Sequence, residues 1–198
     1  MSPDSILPLI AFATVSTVTP GATTTLATAS GAHFGFRRSL PFMVGVAIAL
    51  AAMAVAAAAG LAGLLLAMPS LEFAMKLAGS AYLLWLAVKI ARSGPPHLDR
   101  SIAKPTSFVG ALWIQLQNPK GWAMTLGATA SFAGLARSAV ELAALLGTVF
   151  GILALLSLML WCVGGLLLAR LLRHAWQWRL LNVALALALA ASILTMWR

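Results

Sequence analysis

Two helix-breaking sequences, at equivalent places in the two halves of the chain, constrain its fold most strongly. Thr19-Pro20-Gly21 interrupts one apolar run, and Asn118-Pro119-Lys120-Gly121 interrupts another. The two prolines are 119 − 20 = 99 residues apart, which is half of the 198-residue chain. The similarity continues at the same offset, where Gly35-Phe36-Arg37-Arg38-Ser39 aligns with Gly134-Leu135-Ala136-Arg137-Ser138. The pattern predicts a duplicated unit with one helix break in each copy.

The composition decides which solvent surrounds this duplicated unit. Hydrophobic residues make up 62% of the chain and charged residues 9%, whereas a soluble domain is nearer half apolar and a quarter charged. So few charges cannot cover a water-exposed surface, and most of the chain is therefore predicted to face the lipid bilayer. The net charge of +9 does not indicate nucleic acid as a partner, because the basic residues stand singly or in pairs between apolar runs.

Six apolar segments cover most of the chain, and each is near the roughly 20 residues that cross the hydrocarbon. A short polar link over 31–39 joins the first two segments, and a basic loop over 170–179 precedes the last. The longest polar stretch, 92–105, separates two halves of about 1–98 and 105–198. The predicted segments are 6–29, 40–67, 71–91, 108–133, 139–168 and 180–197.

Three segments per half is an odd number, so the second half must enter the membrane in the opposite direction from the first. We therefore predict one all-α membrane domain of six transmembrane helices, arranged as a 3+3 inverted repeat with helices 1 and 4 broken. The second segment is rich in Ala and Gly, and Gly147-x-x-x-Gly151 occurs in the fifth. Small residues at these positions favour close contact between helices.

The basic residues also predict an orientation. The loops after segments one, three and five carry nine Lys and Arg, while the opposite side carries three. By the positive-inside rule, both termini should face away from the cytoplasm. The sequence Met1-Ser2-Pro3-Asp4 has no basic region, so the first apolar run is predicted to be a retained helix and not a cleaved signal peptide.

The helix breaks are the predicted functional site. A break exposes backbone groups, which is tolerated inside a membrane only where protein or water covers them. Two breaks related by a pseudo-twofold axis should meet near the bilayer centre, where N–H groups can bind a carboxylate and carbonyls an ammonium. Polar side chains beside the breaks fit this task. They are the hydroxyls of Thr19, Thr23, Thr24 and Thr25, the amides of Gln115, Gln117 and Asn118, and the ammonium of Lys120.

Each of these residues also has a simpler interpretation. Lys120 could extend its ammonium to the membrane surface, Pro20 and Pro119 could merely bend helices, and a threonine hydroxyl could bond to its own helix. His33, in the predicted link, is expected to be a solvated loop residue. Cys162 is expected to be a small buried or lipid-facing residue, because a single cysteine has no internal disulfide partner.

Other functional classes find little support in the sequence. It has no nucleotide-binding loop, no Ser/His/Asp grouping and no paired carboxylates, so we predict neither an enzyme nor a bound cofactor. No spacing of Cys, His or carboxylate residues predicts a metal site. The remaining alternatives are an exporter of another small solute and a non-transporting membrane subunit that binds a partner protein.

The chain resembles the lysine exporter superfamily of small amino-acid exporters (LysE/RhtB type), in the threonine/homoserine efflux branch. The carrying motifs are Thr19-Pro20-Gly21, Gly35-Phe36-Arg37-Arg38, Gly79-Ser80-Ala81-Tyr82-Leu83 and Asn118-Pro119-Lys120. The resemblance covers essentially the whole chain and extends to the cysteine/O-acetylserine exporter group. It implies export of an amino acid or close derivative across the bacterial inner membrane, with protons as the coupling ion.

The resemblance also bears on the site and the assembly. It adds Tyr82 to the expected substrate-binding residues, which are Thr19, Pro20, Gly21, Thr23, Gln115, Asn118, Pro119, Lys120 and Gly121. One departure concerns the residues after the first break, where the family usually has Pro-Asn and this chain has Ala22 and Thr23. Substrate identity is therefore not carried over. A small helical protein so rich in small residues is also a candidate homodimer.

Overall fold

The regular structure is helical throughout the residues that the structure describes. It is a computed structural model that describes residues 3–60, 105–172 and 174–194, with individual positions between 73 and 92 that are also helical. The helices are α1 (Pro3–Val18), α2 (Ala22–Ala58), α3 (Phe108–Leu116), α4 (Pro119–Phe132), a short 3-10 helix (Ala133–Leu135), α5 (Ala139–Leu171) and α6 (Ala175–Leu194). Most of the predicted third segment, 71–91, lies outside the described residues.

The first four helices end or begin beside the prolines that interrupt the backbone hydrogen bonds. α1 ends at Val18 and α2 begins at Ala22, on either side of Pro20. α3 ends at Leu116, and Pro119 is the first residue of α4. Proline suits a first helical position because its missing N–H would have had no partner there.

The polar link predicted over 31–39 is not a loop. α2 runs through it, and its one interior residue with non-helical dihedral angles is Gly35, at φ 76° and ψ 173°. This conformation is almost confined to glycine. Arg37 and Arg38 remain exposed on the helix surface, so their charges do not require a loop. The prediction of a loop was wrong, because two helical parts meet directly at the kink at Gly35 with no polar link between them.

The basic loop predicted over 170–179 is also shorter than expected. α5 continues to Leu171, and α6 already begins at Ala175. The Gln177 side chain accepts a hydrogen bond from the His174 N–H at 2.9 Å. This bond partners an N–H at the helix start, which lets α6 begin before its basic residues.

α2 is the central helix of the described part of the chain, and it packs most extensively against α5. Glycine makes this contact close. A Cβ at Gly31 would overlap the carbonyl of Cys162, and one at Gly165 would overlap the carbonyl of Thr28. At the other end of the contact, Gly147 and Gly151 both lie against Ala51 of α2. The Gly147-x-x-x-Gly151 spacing thus marks a close helix contact, as its sequence predicts.

The apolar surfaces divide between a core and an outer face. Two buried clusters, one including Phe42 and the other Phe150, lie between the helices. Many large apolar side chains point outward, among them Val15, Trp113 and Leu160. Two described helices, α2 and α5, are long and apolar enough to cross a membrane. Such outward apolar faces suit a lipid environment.

Candidate functional site

The C-terminal end of α1 is bound by side chains from two other helices. A helix leaves its last carbonyls without partners inside the helix, and here three consecutive carbonyls receive donors. The bonds are Ser157 Oγ to Thr17 O at 2.9 Å, Trp161 Nε1 to Val18 O at 3.1 Å, and Lys120 Nζ to Thr19 O at 2.6 Å. α5 supplies the first two donors and α4 the third. This break therefore joins elements from both halves of the chain.

Lys120 is the cation of this site. Its half-buried side chain crosses from the start of α4 to the end of α1. A Cβ at Gly21 would lie 3.5 Å from Lys120 Cδ and 3.6 Å from Nζ, so the lysine lies in van der Waals range of that glycine. A cation at a helix C-terminus is also favoured by the helix dipole. Lys120 thus bonds to a backbone carbonyl in this structure, at an exposed position beside the first break.

The N-terminal end of α2 is closed by its own first turn. The Thr24 hydroxyl accepts from the Gly21 N–H at 2.8 Å and donates to the Gly21 carbonyl at 2.9 Å. The Thr25 N–H continues the ladder to the Gly21 carbonyl at 3.0 Å. These bonds begin a new helix directly after Pro20, and its positive dipole end lies beside the carbonyl end of α1.

The second break is organised by Asn118. Its Oδ1 accepts from the Lys120 N–H at 3.1 Å, which caps α4. Its Nδ2 donates to Gln115 Oε1 at 3.2 Å. Gln115 is buried, and its Nε2 lies 3.7 Å from Met53 Sδ. A chain of polar contacts therefore runs from the backbone of Lys120 to α2.

A small cavity lies between the two breaks. Its volume is about 30 Å³, measured as the space open to the centre of a water-sized sphere. One water needs roughly 10–15 Å³ by this measure, so the cavity has room for about two waters and is too small for an amino acid. Its polar lining includes residues from both breaks, namely Ser16, Thr17, Gly21, Thr23, Thr24, Gln115, Asn118 and Lys120.

The structure brings five of the ten predicted site residues to one cavity. Gly21, Thr23, Gln115, Asn118 and Lys120 line the cavity. The other predicted residues lie at its edge or outside it. The Thr19 hydroxyl donates to Val15 O at 2.6 Å, and Pro20 is exposed. Pro119 begins α4, and Gly121 is buried against Gln115 and Met53. Tyr82 lies outside the described residues.

Sequence reasoning missed several residues of this site. Ser157 and Trp161 lie about 140 residues from the carbonyls they bind, and no motif in the fifth segment indicated them.

His33 was expected to be a solvated loop residue, and this was wrong. It is a half-buried helical residue whose ring bonds to the fully buried Asn182 at 2.8 Å. Only the packing of α2 on α6 brings these two together.

Apolar helices with a polar cavity between their interrupted ends are the arrangement of a small helical membrane transporter. The comparison with known families narrows this class. The family model described as LysE type translocator matches residues 14–194, and the chain belongs to this family. It is therefore a transporter and not an enzyme.

Curated relatives carry a more specific description. The cysteine/O-acetylserine efflux proteins of Escherichia coli O139:H28 (strain E24377A / ETEC), Escherichia coli (strain K12) and Shigella sonnei (strain Ss046) are each 30% identical to this chain over 195 residues. The similarity covers 96% of this chain and 95% of each relative. No solved structure matches the chain.

Proposed function

We propose that the protein is a secondary transporter that exports an amino acid or close derivative across the bacterial inner membrane in exchange for protons. One observation carries the proposal. A lysine and two amide side chains line one cavity between the helix breaks, and the lysine ammonium bonds to the helix-end carbonyl of Thr19. The relatives named for cysteine and O-acetylserine efflux indicate the class of substrate.

The charges of the substrate match the groups around the cavity. Cysteine and O-acetylserine each carry an ammonium and a carboxylate at neutral pH. Lys120 can pair with the carboxylate, and charge-assisted bonds of this kind are the stronger ones. The Thr19 carbonyl, which now accepts from Lys120 at 2.6 Å, can take the substrate ammonium. Substrate binding would then move Lys120 from a backbone carbonyl to the substrate carboxylate.

Transport requires the cavity to open, because its present volume cannot hold the substrate. The proposed movement is alternating access, in which one repeat moves against the other around a fixed site. The order of elements supports this arrangement. Each half has a helix, a proline break, a second helix, an interruption at Gly35 or at 133–138, and then a long apolar helix. The 3+3 inverted repeat with two broken helices is part of this proposal.

The test is amino-acid release from bacteria that express the protein. Cells are loaded with dipeptides, and amino acids and O-acetylserine are followed in the medium. We expect selective release of one group of amino acids, which Lys120→Ala abolishes because the substrate carboxylate loses its cation. Lys120→Arg is the matched control, because it keeps the positive charge. The membrane fractions must contain equal amounts of the unmodified protein, Lys120→Ala and Lys120→Arg.

Two outcomes decide between the proposal and its alternatives. If Lys120→Ala releases an amino acid as fast as the unmodified protein does, the protein is an exporter but Lys120 does not bind the substrate. No change in the release of any amino acid, with the protein inserted, would favour another solute or a subunit that binds a partner protein.

A further inference from the structure

A second polar pair lies away from the cavity, where the first part of α2 meets α6. His33 Nε2 is 2.8 Å from Asn182 Oδ1. Asn182 is fully buried and His33 is half-buried. Both lie outside the cavity lining, so binding of substrate between the helix breaks does not explain them. A polar pair of this kind inside a membrane protein is expensive and usually functional.

The hydrogen bond determines where the His33 ring can titrate. An amide oxygen only accepts, so Nε2 carries a hydrogen and donates it to Asn182 Oδ1. This holds for the neutral ring and for the protonated ring alike. A proton is therefore gained or lost at Nδ1, and the bond between α2 and α6 persists in both states.

A second residue of α6 also contacts the His33 ring. The ring centroids of His33 and Trp178 are 5.6 Å apart, with 52° between the ring planes. Trp178 and Asn182 are four residues apart on α6, so they share one face of that helix. α6 thus presents a carbonyl oxygen and an aromatic ring to the same imidazole.

Other titratable groups lie on the elements packed around His33. They are Arg37 and Arg38 on α2, Glu141, Cys162 and Arg170 on α5, and His174 and Arg179 at the start of α6. All are exposed except the buried Cys162. An ordinary arginine stays charged and an ordinary thiol neutral at pH 7. Of the histidines that the structure describes, His33 is the one held between helices, and an imidazole can bind and release a proton.

We propose that His33 binds the proton that is exchanged for substrate, with Asn182 and Trp178 as positioning residues. The inference rests on the proposed export function and adds its coupling group. Nδ1 takes up one proton on the outer side and releases it on the cytoplasmic side, so one positive charge enters per cycle. The first part of α2 connects the two sites, because it begins at the cavity with Gly21 and Thr24 and reaches His33 about 14 Å further along its axis.

The test uses the purified full-length protein in liposomes with labelled cysteine and O-acetylserine. Two quantities are measured, namely exchange of substrate at equal pH on both sides and net transport driven by a pH difference. We expect the unmodified protein to show both. His33→Gln retains an amide donor for Asn182 but cannot carry a proton, so net transport should fall to the level of protein-free liposomes while exchange continues. His174→Gln, the same substitution at an exposed histidine, should change neither.

A second variant covers the case in which His33→Gln does not insert or exchange. Asn182→Asp keeps the acceptor for His33 and adds a negative charge beside the ring, so the pH midpoint of transport should move upward. Net transport by His33→Gln at the unmodified rate, or an unchanged midpoint in Asn182→Asp, would overturn the inference. Exchange without any response to a pH difference in the unmodified protein would overturn it too, while leaving export intact. Absence of exchange of both cysteine and O-acetylserine would instead count against the proposed export function.

Discussion

At the scale of single residues, the polar structure of the site follows from the carbonyls that α1 leaves free at its end. Ser157, Trp161 and Lys120 each donate to one of them. The need for donors could be predicted, because Pro20 interrupts the helix and buried carbonyls must be satisfied. The identity of two donors could not be predicted, since Ser157 and Trp161 come from a helix that only tertiary packing brings to α1.

The threonines beside the first break show the same limit. Sequence alone left open whether each hydroxyl faces the site or bonds to its own helix. The Thr19 hydroxyl bonds to Val15 O in its own helix, and Thr24 closes the first turn of α2. Thr23 and Thr24 both line the cavity, while Thr25 does not. Neighbouring threonines on a helix point in directions 100° apart, so one break cannot direct all of them to one site.

Asn118 permits a test that separates a helix cap from a positioning role. Asn118→Ala removes the cap of α4, which costs about 1 kcal/mol, and it removes the donor to Gln115. Asn118→Ser restores an oxygen that can cap the helix but is too short to replace the amide bond to Gln115. We expect the serine variant to regain thermal stability in detergent without regaining efflux. Recovery of efflux by serine would show that the cap alone matters.

At the scale of elements, the crossing of α2 and α5 depends on missing side chains. In each direction a glycine of one helix faces a carbonyl of the other, with Gly31 against Cys162 and Gly165 against Thr28. Lipid gives apolar helices no hydrophobic reason to associate, so close packing and polar contacts hold them together. This crossing brings Ser157 and Trp161 of α5 to the end of α1.

Two adjacent glycines of α5 make a matched pair for testing this crossing. Gly165→Ala places a methyl group against the Thr28 backbone and should destabilise the protein by about 1–3 kcal/mol, as overpacking does. A Cβ at Gly164 meets nothing within 4 Å, so Gly164→Ala should leave stability unchanged or raise it by up to about 1 kcal/mol. Thermal unfolding in detergent measures both. Equal effects of the two substitutions would show that the crossing is looser than the structure indicates.

Helix ends could be predicted where a proline removes backbone hydrogen bonds. They could not be predicted from polar residues, which leave the backbone hydrogen bonds of a helix intact. The two proline sequences predicted closely where α1 and α3 end and where α2 and α4 begin. Arg37 and Arg38 misled, because they lie exposed on the helical part that begins directly after the kink at Gly35, and not in a loop. The bend itself had a signal in Gly35, but a lone glycine is compatible with both a loop and a kinked helix.

At the scale of the whole molecule, the predicted repeat pairs residues that lie in similar local surroundings in the two halves. Arg38 and Arg137 are 137 − 38 = 99 residues apart, and both are exposed next to a long apolar helix. In an inverted repeat such equivalent positions face opposite sides of the membrane. The excess of basic residues predicts the cytoplasmic side for Arg38 and the outer side for Arg137.

Labelling of single cysteines tests this inversion directly. The chain has one cysteine, Cys162, which is fully buried, so the unmodified protein should react little with a membrane-impermeant maleimide. We expect Arg137→Cys to be labelled in intact spheroplasts and Arg38→Cys only in inside-out vesicles, and each substitution removes one positive charge. Labelling of both cysteines from the same side would refute the inverted repeat. If Arg38→Cys is labelled in spheroplasts and Arg137→Cys only in inside-out vesicles, the inverted repeat still holds. The termini would then lie in the cytoplasm, and the excess of basic residues would have predicted the wrong orientation.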